Sequence, residues 1–181
     1  MISKLRIRTK RLDLIAGTAE MGRAELTGSD KLATYLNAEI PPDWPPPLND
    51  IQSTTWFADY LEQHPDAVGW ASWYFVLRSD NERRVAIGNG GFKGRVDEHG
   101  TAEIGYSILE RHQRRGYAPE AVRALVSWAL SDPGVRRVVA QTLPGLAPSI
   151  AVLEKCGFSF VGKGMEEGAI LYELHRHRRR S

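Results

Sequence analysis

A strand-like run from Ala102 to Leu109 passes through Gln113-Arg114-Arg115-Gly116-Tyr117-Ala118 into a helix that Pro119 is expected to open, so a glycine-containing turn delivers the chain directly into a helix N-terminus. The first turn of a helix carries unpaired N–H groups and the positive end of the peptide dipole, so such a junction suits an anion. Gly116 is free to adopt φ > 0 and lets a ligand come close to the backbone. Ala118 keeps the wall small, Pro119 fits the first helical position, and Arg114 and Arg115 add positive charge. A plain strand-to-helix turn containing one glycine would use the same residues, so this spacing alone leaves both readings open.

The rest of the chain supplies strands before this junction and a strand–helix–strand–strand order after it. Leu5 and Ile7 alternate with charged residues, the period of a half-buried strand. The apolar phase slips at Lys10–Arg11 and passes to Leu12 and Leu14, which predicts a bulge. Thr18 is a helix cap, and a second helical piece spans Lys31 to Asn37. The segment Pro41 to Pro47 holds five prolines in seven residues and must be a loop, with Trp44 as its one large aromatic. Asp50 to Gln63 reads as a helix with Ile51, Phe57, Tyr60 and Leu61 on an apolar stripe. Trp70 to Leu77 and Arg84 to Phe92 form a hairpin around a turn at 79–83, and the glycines of 88–91 mark a bulge or a close backbone approach. Thr101 to Leu109 is a further strand, Pro119 to Leu130 a helix, and Arg137 to Thr142 a buried strand. Ser149 to Lys155 is a short helix ended by Gly157, and Phe158 to Gly162 and Ala169 to Leu174 are closing strands. This order argues for an α/β (α+β) fold in one layer system, with neither repeat nor interdomain linker.

Composition narrows the function classes. With 181 residues, 42% hydrophobic and 25% charged, the chain suits one compact domain over 1–175 with a basic tail at 176–181. Four of the 24 Lys and Arg residues lie in the last six positions, so 20 remain against 22 Asp and Glu. A body that is slightly acidic argues against a nucleic-acid-binding face, and the tail is either solvated or a phosphate contact. No apolar run reaches the roughly 20 residues of a membrane helix, and the N-terminus has no signal-peptide core, so the expected location is cytoplasmic. Cys156 is the single cysteine, and the histidines have no metal-like spacing; no metal site is expected.

Three segments together carry a resemblance. Ala102 to Leu109 followed by Gln113-x-x-Gly116-x-Ala118 resembles the acyl-coenzyme-A motif of the GNAT superfamily of N-acetyltransferases. Ser149-x-x-x-Leu153-Glu154-Lys155-Cys156-Gly157-Phe158 is similar to that family's closing helix and strand, and Arg11-Leu12-Asp13-Leu14 to the opening strand of its RimJ/RimL-like branch. The resemblance implies a mixed, mostly antiparallel central sheet with helices on both faces, splayed between two central parallel strands. It implies acetyl-CoA as cofactor, with Gln113, Arg114, Arg115, Gly116, Tyr117 and Ala118 at its diphosphate and Tyr106, Ser107 and Ile108 along its pantetheine arm. The sequence departs from the pattern at Pro119, where relatives carry a hydroxyl, at Leu146, where the branch has Asn, and at Leu153, where many relatives have a tyrosine acting as general acid.

Acetyl transfer to an amine needs a base, a donor to the oxygen that gains charge, and a proton source for the thiolate. Glu103 is the base candidate where the family carries a glutamate; its competing role is a solvated strand residue. Ser149 is the second catalytic candidate, with cofactor binding or helix capping as alternatives, and the Ile108 amide is the expected oxyanion donor. Trp44 is the substrate-pocket candidate, whereas Trp56, Trp70 and Trp73 are read as core or sheet packing. Glu166 and Glu167 stand within reach of a substrate amine or are merely solvated. The function expected from these residues is acetyl-CoA-dependent transfer to a primary amine, either a protein N-terminus or a small molecule. A non-catalytic acyl-CoA-binding sensor is the alternative, and a homodimer is a state the family makes available.

Overall fold

The computed structural model describes residues 5–79 and 83–176. Eight strands form one sheet in the order β1-β2-β3-β4-β5-β6-β8-β7: β1 (Arg6–Arg8), β2 (Leu12–Ala16), β3 (Ser72–Arg78), β4 (Arg84–Phe92), β5 (Thr101–Ile108), β6 (Arg137–Thr142), β7 (Ser159–Lys163) and β8 (Ile170–His175). Five helices accompany them: α1 (Ala19–Thr27), α2 (Ser29–Leu36), α3 (Ile51–Gln63), α4 (Tyr117–Ser131) and α5 (Ala147–Lys155). The pairings are antiparallel except β5 with β6, which α4 joins as a crossover.

Neighbouring residues of β3 show how the layers divide, because successive side chains point to opposite faces. Trp73 packs edge-on against Trp128 of α4, with ring centroids 5.3 Å apart. Tyr74 reaches the other face and donates to Glu25 of α1 at 2.7 Å. Helix α4 buries Ala121, Val122, Leu125, Val126 and Ala129, a stripe with helical spacing. On the opposite layer α1 meets α3, where a Cβ at Gly22 would lie 2.8 Å from the Phe57 ring. Thr18 caps α1 through the Met21 amide, and Asp50 with Ser53 forms a capping box at α3.

Several sequence expectations change. The phase slip at Lys10–Arg11 is a chain reversal, not a bulge: β1 and β2 pair with each other, Ile7 opposite Leu14. Both events shift an alternating pattern by one residue. Long-range bonds favour the reversal, since Glu120 of α4 accepts from Thr9 Oγ1, Arg11 N and Arg11 Nε, each at 2.7 Å. Ile51 is 76% exposed and Trp56 is 48% exposed, so neither belongs to the core. Trp56 instead stacks on Tyr60, centroids 5.3 Å apart. The β4 glycines do mark a bulge, with the β3–β4 register shifting opposite Phe75 and Val76. They also permit close approach: a Cβ at Gly90 would stand 2.7 Å from the Gly105 carbonyl. Of the expected hairpin turn, 80–82 lie outside the described residues, as do 177–181 of the basic tail. Arg176 is bonded into the fold, its amide donating to Arg136 O at 2.9 Å and its guanidinium to the Leu130 and Asp132 carbonyls.

Candidate functional site

The site begins where two parallel strands part. Pairing of β5 with β6 covers Thr101, Ala102 and Glu103 only, ending at Glu103 opposite Val139. Beyond it β5 continues to Ile108, still paired with β4. The Glu103 carbonyl accepts from Lys93 N and the Leu109 amide donates to Ile87 O, so these odd-numbered residues turn their backbone groups toward β4. By alternation, Tyr106 and Ile108 turn theirs toward the gap. The Ile108 carbonyl accepts from Gln113 Nε2 at 2.9 Å, which braces the following turn against the strand. Tyr106 and Ile108 therefore share the gap, while Ser107 stands apart from them. Its backbone faces β4, and its hydroxyl donates to Pro47 O at 2.6 Å.

At the end of β5 the chain makes a short 3-10 turn and reaches α4 through Arg114 (φ 60°) and Gly116 (φ 80°). Helix α4 starts at Tyr117, two residues before the expected Pro119, and no side chain caps it. Proline is tolerated as the third residue because the first four helix N–H groups have no intrahelical partner. Among the described residues, the N–H groups of Arg115, Gly116, Tyr117 and Ala118 donate to no protein acceptor. Residues Gln113 to Gly116 are exposed. Arg11, which the sequence offered only as part of the opening-strand motif and not at this site, braces the turn: its guanidinium lies 4.4 Å above the Tyr117 ring and donates to Arg115 O at 2.9 Å. An uncapped helix start with glycine at its hinge and arginines beside it fits a diphosphate.

Ser149 is the third residue of α5, not its cap; Leu146 holds that position and offers no side-chain bond. The Ser149 hydroxyl lies 3.3 Å from the Tyr106 hydroxyl, which also donates to the Ser149 carbonyl at 3.1 Å. Burial pushes the Tyr106 phenol up to about 12, against the opposing effect of the Ser149 bond. The pair therefore keeps its protons at neutral pH, on the α4/α5 side of the gap.

Glu103, Gly105 and Ser107 share the other face of β5. The Glu103 side chain is 15% exposed, and its Oε1 accepts from Gln141 Nε2 at 2.9 Å and meets Lys93 Nζ at 2.6 Å. Among the described residues no hydrogen bond is made to its Oε2. The Gln141 oxygen accepts the amides of Met165 at 2.6 Å and Glu166 at 3.0 Å, so its NH2 group must face Glu103. Gly105 is exposed, with nothing within 4 Å of the place a Cβ would occupy; it floors an open cleft in the middle of the sheet.

The proline-rich loop walls this cleft, fastened to a row of three residues on three adjacent strands. Trp44 stacks with Tyr74 at 6.2 Å, Asn49 accepts from Asn89 at 2.9 Å, and Pro47 accepts from Ser107. Trp44 is half-buried and its indole donates to Glu25 Oε1 at 2.7 Å. Burial raises the Glu25 pKa, and the Tyr74 and Trp44 bonds only partly offset it. Sequence reasoning missed Lys93 and Gln141. The polar Gln141 directly after the apolar run Val138 to Ala140 was the available signal; for Lys93, the β4 bulge hides which face the chain presents. Among the described residues no group of three or more His, Cys, Asp or Glu is placed to hold a metal ion, and no helix is long and apolar enough to cross a membrane.

A family model described as an acetyltransferase (GNAT) domain matches residues 16–159. The chain is 33% identical over 131 residues to the uncharacterized N-acetyltransferase YjdG of Bacillus subtilis (strain 168), covering 72% of this chain and 76% of that protein. Among solved structures it resembles the ribosomal-protein-S5-alanine acetyltransferase of Vibrio fischeri, with a TM-score of 0.61, 18% identity, and coverage of 94% and 96% of the two chains. It also resembles the microcin C7 self-immunity acetyltransferase MccE in complex with acetyl-CoA and AMP, with a TM-score of 0.60, 17% identity, and coverage of 92% and 93%.

Proposed function

This chain belongs to the GNAT acetyltransferase family, and from that premise we propose that it transfers the acetyl group of acetyl-CoA to a primary amine by direct attack on the thioester. Bound acetyl-CoA supplies an activated acyl carbon and a thiolate leaving group. The N–H groups of Arg115, Gly116, Tyr117 and Ala118 hold the diphosphate, with Arg114 and Arg115 adding charge and Gln113 bracing the turn. The Tyr106 and Ile108 backbone groups line the pantetheine arm in the gap, and the Ile108 N–H donates to the acyl oxygen as it gains charge. Glu103 takes the amine proton at its open Oε2. Ser149, with the Tyr106 phenol behind it, gives a proton to the departing sulfur. Trp44 and the loop around it wall the acceptor side.

The observation that carries this reading is the end of β5–β6 pairing at Glu103, which sets a carboxylate held by Gln141 at the mouth of the gap. An acceptor amine and an acyl donor entering from opposite faces would meet there. The acceptor is a protein N-terminus or a small amine. The test is thiol release from acetyl-CoA across an amine panel, wild type beside Glu103→Gln. Loss of a general base predicts a fall in kcat of about 10²–10⁴-fold with CoA affinity retained. Turnover equal to wild type removes Glu103 as base. CoA binding without thiol release for any amine leaves the acyl-CoA-binding sensor as the reading.

A further inference from the structure

Lys93 directly follows β4, and its amide donates to the Glu103 carbonyl at 3.0 Å. Its ammonium lies 2.6 Å from Glu103 Oε1 and 2.6 Å from Glu166 Oε1, bridging strand β5 to the β7–β8 turn. Gln141 ties the same two walls together from below, its NH2 on Glu103 and its oxygen on the Met165 and Glu166 amides. The bridge stands at the cleft floored by Gly105, beside the open Glu103 Oε2 that the proposed function uses to take a proton. An amine arriving to react there comes as an ammonium and meets an ammonium already in place.

We infer that Lys93 is a resident competitor of the acceptor, holding the position of the acceptor's ammonium until a cationic amine displaces it. This rests on the acetyl-transfer reading and makes Lys93 a specificity-determining residue: an alkyl primary ammonium can exchange with it, while a neutral hydroxyl cannot replace its two charge contacts. Displacement is cheap because the Lys93 side chain is 52% exposed, and exposed ion pairs contribute little to stability. The arrangement also spares the empty cleft two facing carboxylates with no counter-charge. Burial tends to lower the Lys93 pKa, but the bonds from Glu103 and Glu166 outweigh it and hold that pKa above the ordinary lysine value. Lys93 thus stays protonated and is not itself a nucleophile.

The test is calorimetric binding of spermidine, n-butylamine and an alanyl tripeptide to the CoA-saturated protein, alongside KM for the same amines. Lys93→Met keeps the apolar stem and removes the charge. The amines that bind should bind it more tightly, by up to about fivefold, the scale of an exposed ion pair, with the gain falling in KM. Lys93→Arg should stay near the wild type, and Glu166→Gln should bind more weakly. Equal or weaker binding to Lys93→Met overturns the inference and leaves the acetyl-transfer reading standing. If no amine binds either protein, the inference falls, and thiol release across the amine panel decides the acetyl-transfer reading separately.

Discussion

Asp13 has no exposed side-chain surface, yet three arginines converge on it: Arg6, Arg84, and Arg78 at 2.9 Å. Burial alone would raise its pKa; the bonds and charges of Arg6 and Arg84 win and hold it below the usual aspartate value. The Arg78 guanidinium also donates to the carbonyls of Thr9 and Lys10 at 2.8 and 2.9 Å, so the carboxylate anchors the β1–β2 reversal to β3 and β4. Asp13→Asn should cost about 3 kcal/mol, the low end for breaking a buried ion pair, because the arginines left behind still reach water. A depressed pKa contributes stability above the unfolded value of about 3.8 that is lost as pH falls through the lower folded value. Urea midpoints should therefore separate wild type from Asp13→Asn at pH 7 and draw together as pH falls below about 3.8; equal midpoints at pH 7 refute this. In the sequence, Asp13 stood out only as part of a motif. Its partners lie as far as Arg84 along the chain, a distance that local pattern cannot bridge.

Elements were more legible than the contacts between them. The strand–turn–helix junction is readable because Gly116 and the helix it precedes obey local rules of conformation and polarity. Its starting residue is less so: the helix begins at Tyr117 and not at Pro119, since proline is compatible with any of the first-turn positions. Ser149 shows the same limit at α5, where a serine near a helix start reads as a cap but falls inside the first turn. At the junction, Gly116→Val combines a left-handed φ of 80° with a Cβ placed 3.3 Å from Arg11 Nη2. A β-branched residue is strained there by about 1–2 kcal/mol, and its side chain intrudes on the proposed diphosphate. The dissociation constant for CoA should rise about tenfold or more, since tenfold corresponds to about 1.4 kcal/mol. Titration calorimetry on protein checked for a cooperative thermal transition measures it, and unchanged affinity would dismiss this turn as the diphosphate site.

Across the whole molecule, the sheet is a partition that opens where β5 and β6 part. Helices α4 and α5 lie on one face with the uncapped helix start and the Tyr106–Ser149 pair; α1, α3 and the proline-rich loop lie on the other with Glu103, Lys93 and Trp44. Whereas the order of elements alone implied only a mixed α/β layer system, the resemblance to the GNAT superfamily made this arrangement foreseeable in outline. The depth of the opening was not, because it depends on where the β5–β6 ladder stops, and no residue type marks that point. Gly105 is the position that tests the partition. A side chain added there would point into the proposed acceptor cleft and meet nothing within 4 Å, so it has no cost in packing, and a β-branched residue suits a strand better than glycine does. Gly105→Val should keep or slightly raise the thermal midpoint and bind CoA normally from the far face. Acceptor turnover should nonetheless fall by about 10²-fold, the scale on which misplacement by an ångström acts. Loss of CoA binding in parallel with turnover would mean that both ligands share one face, and the two-sided arrangement would be wrong.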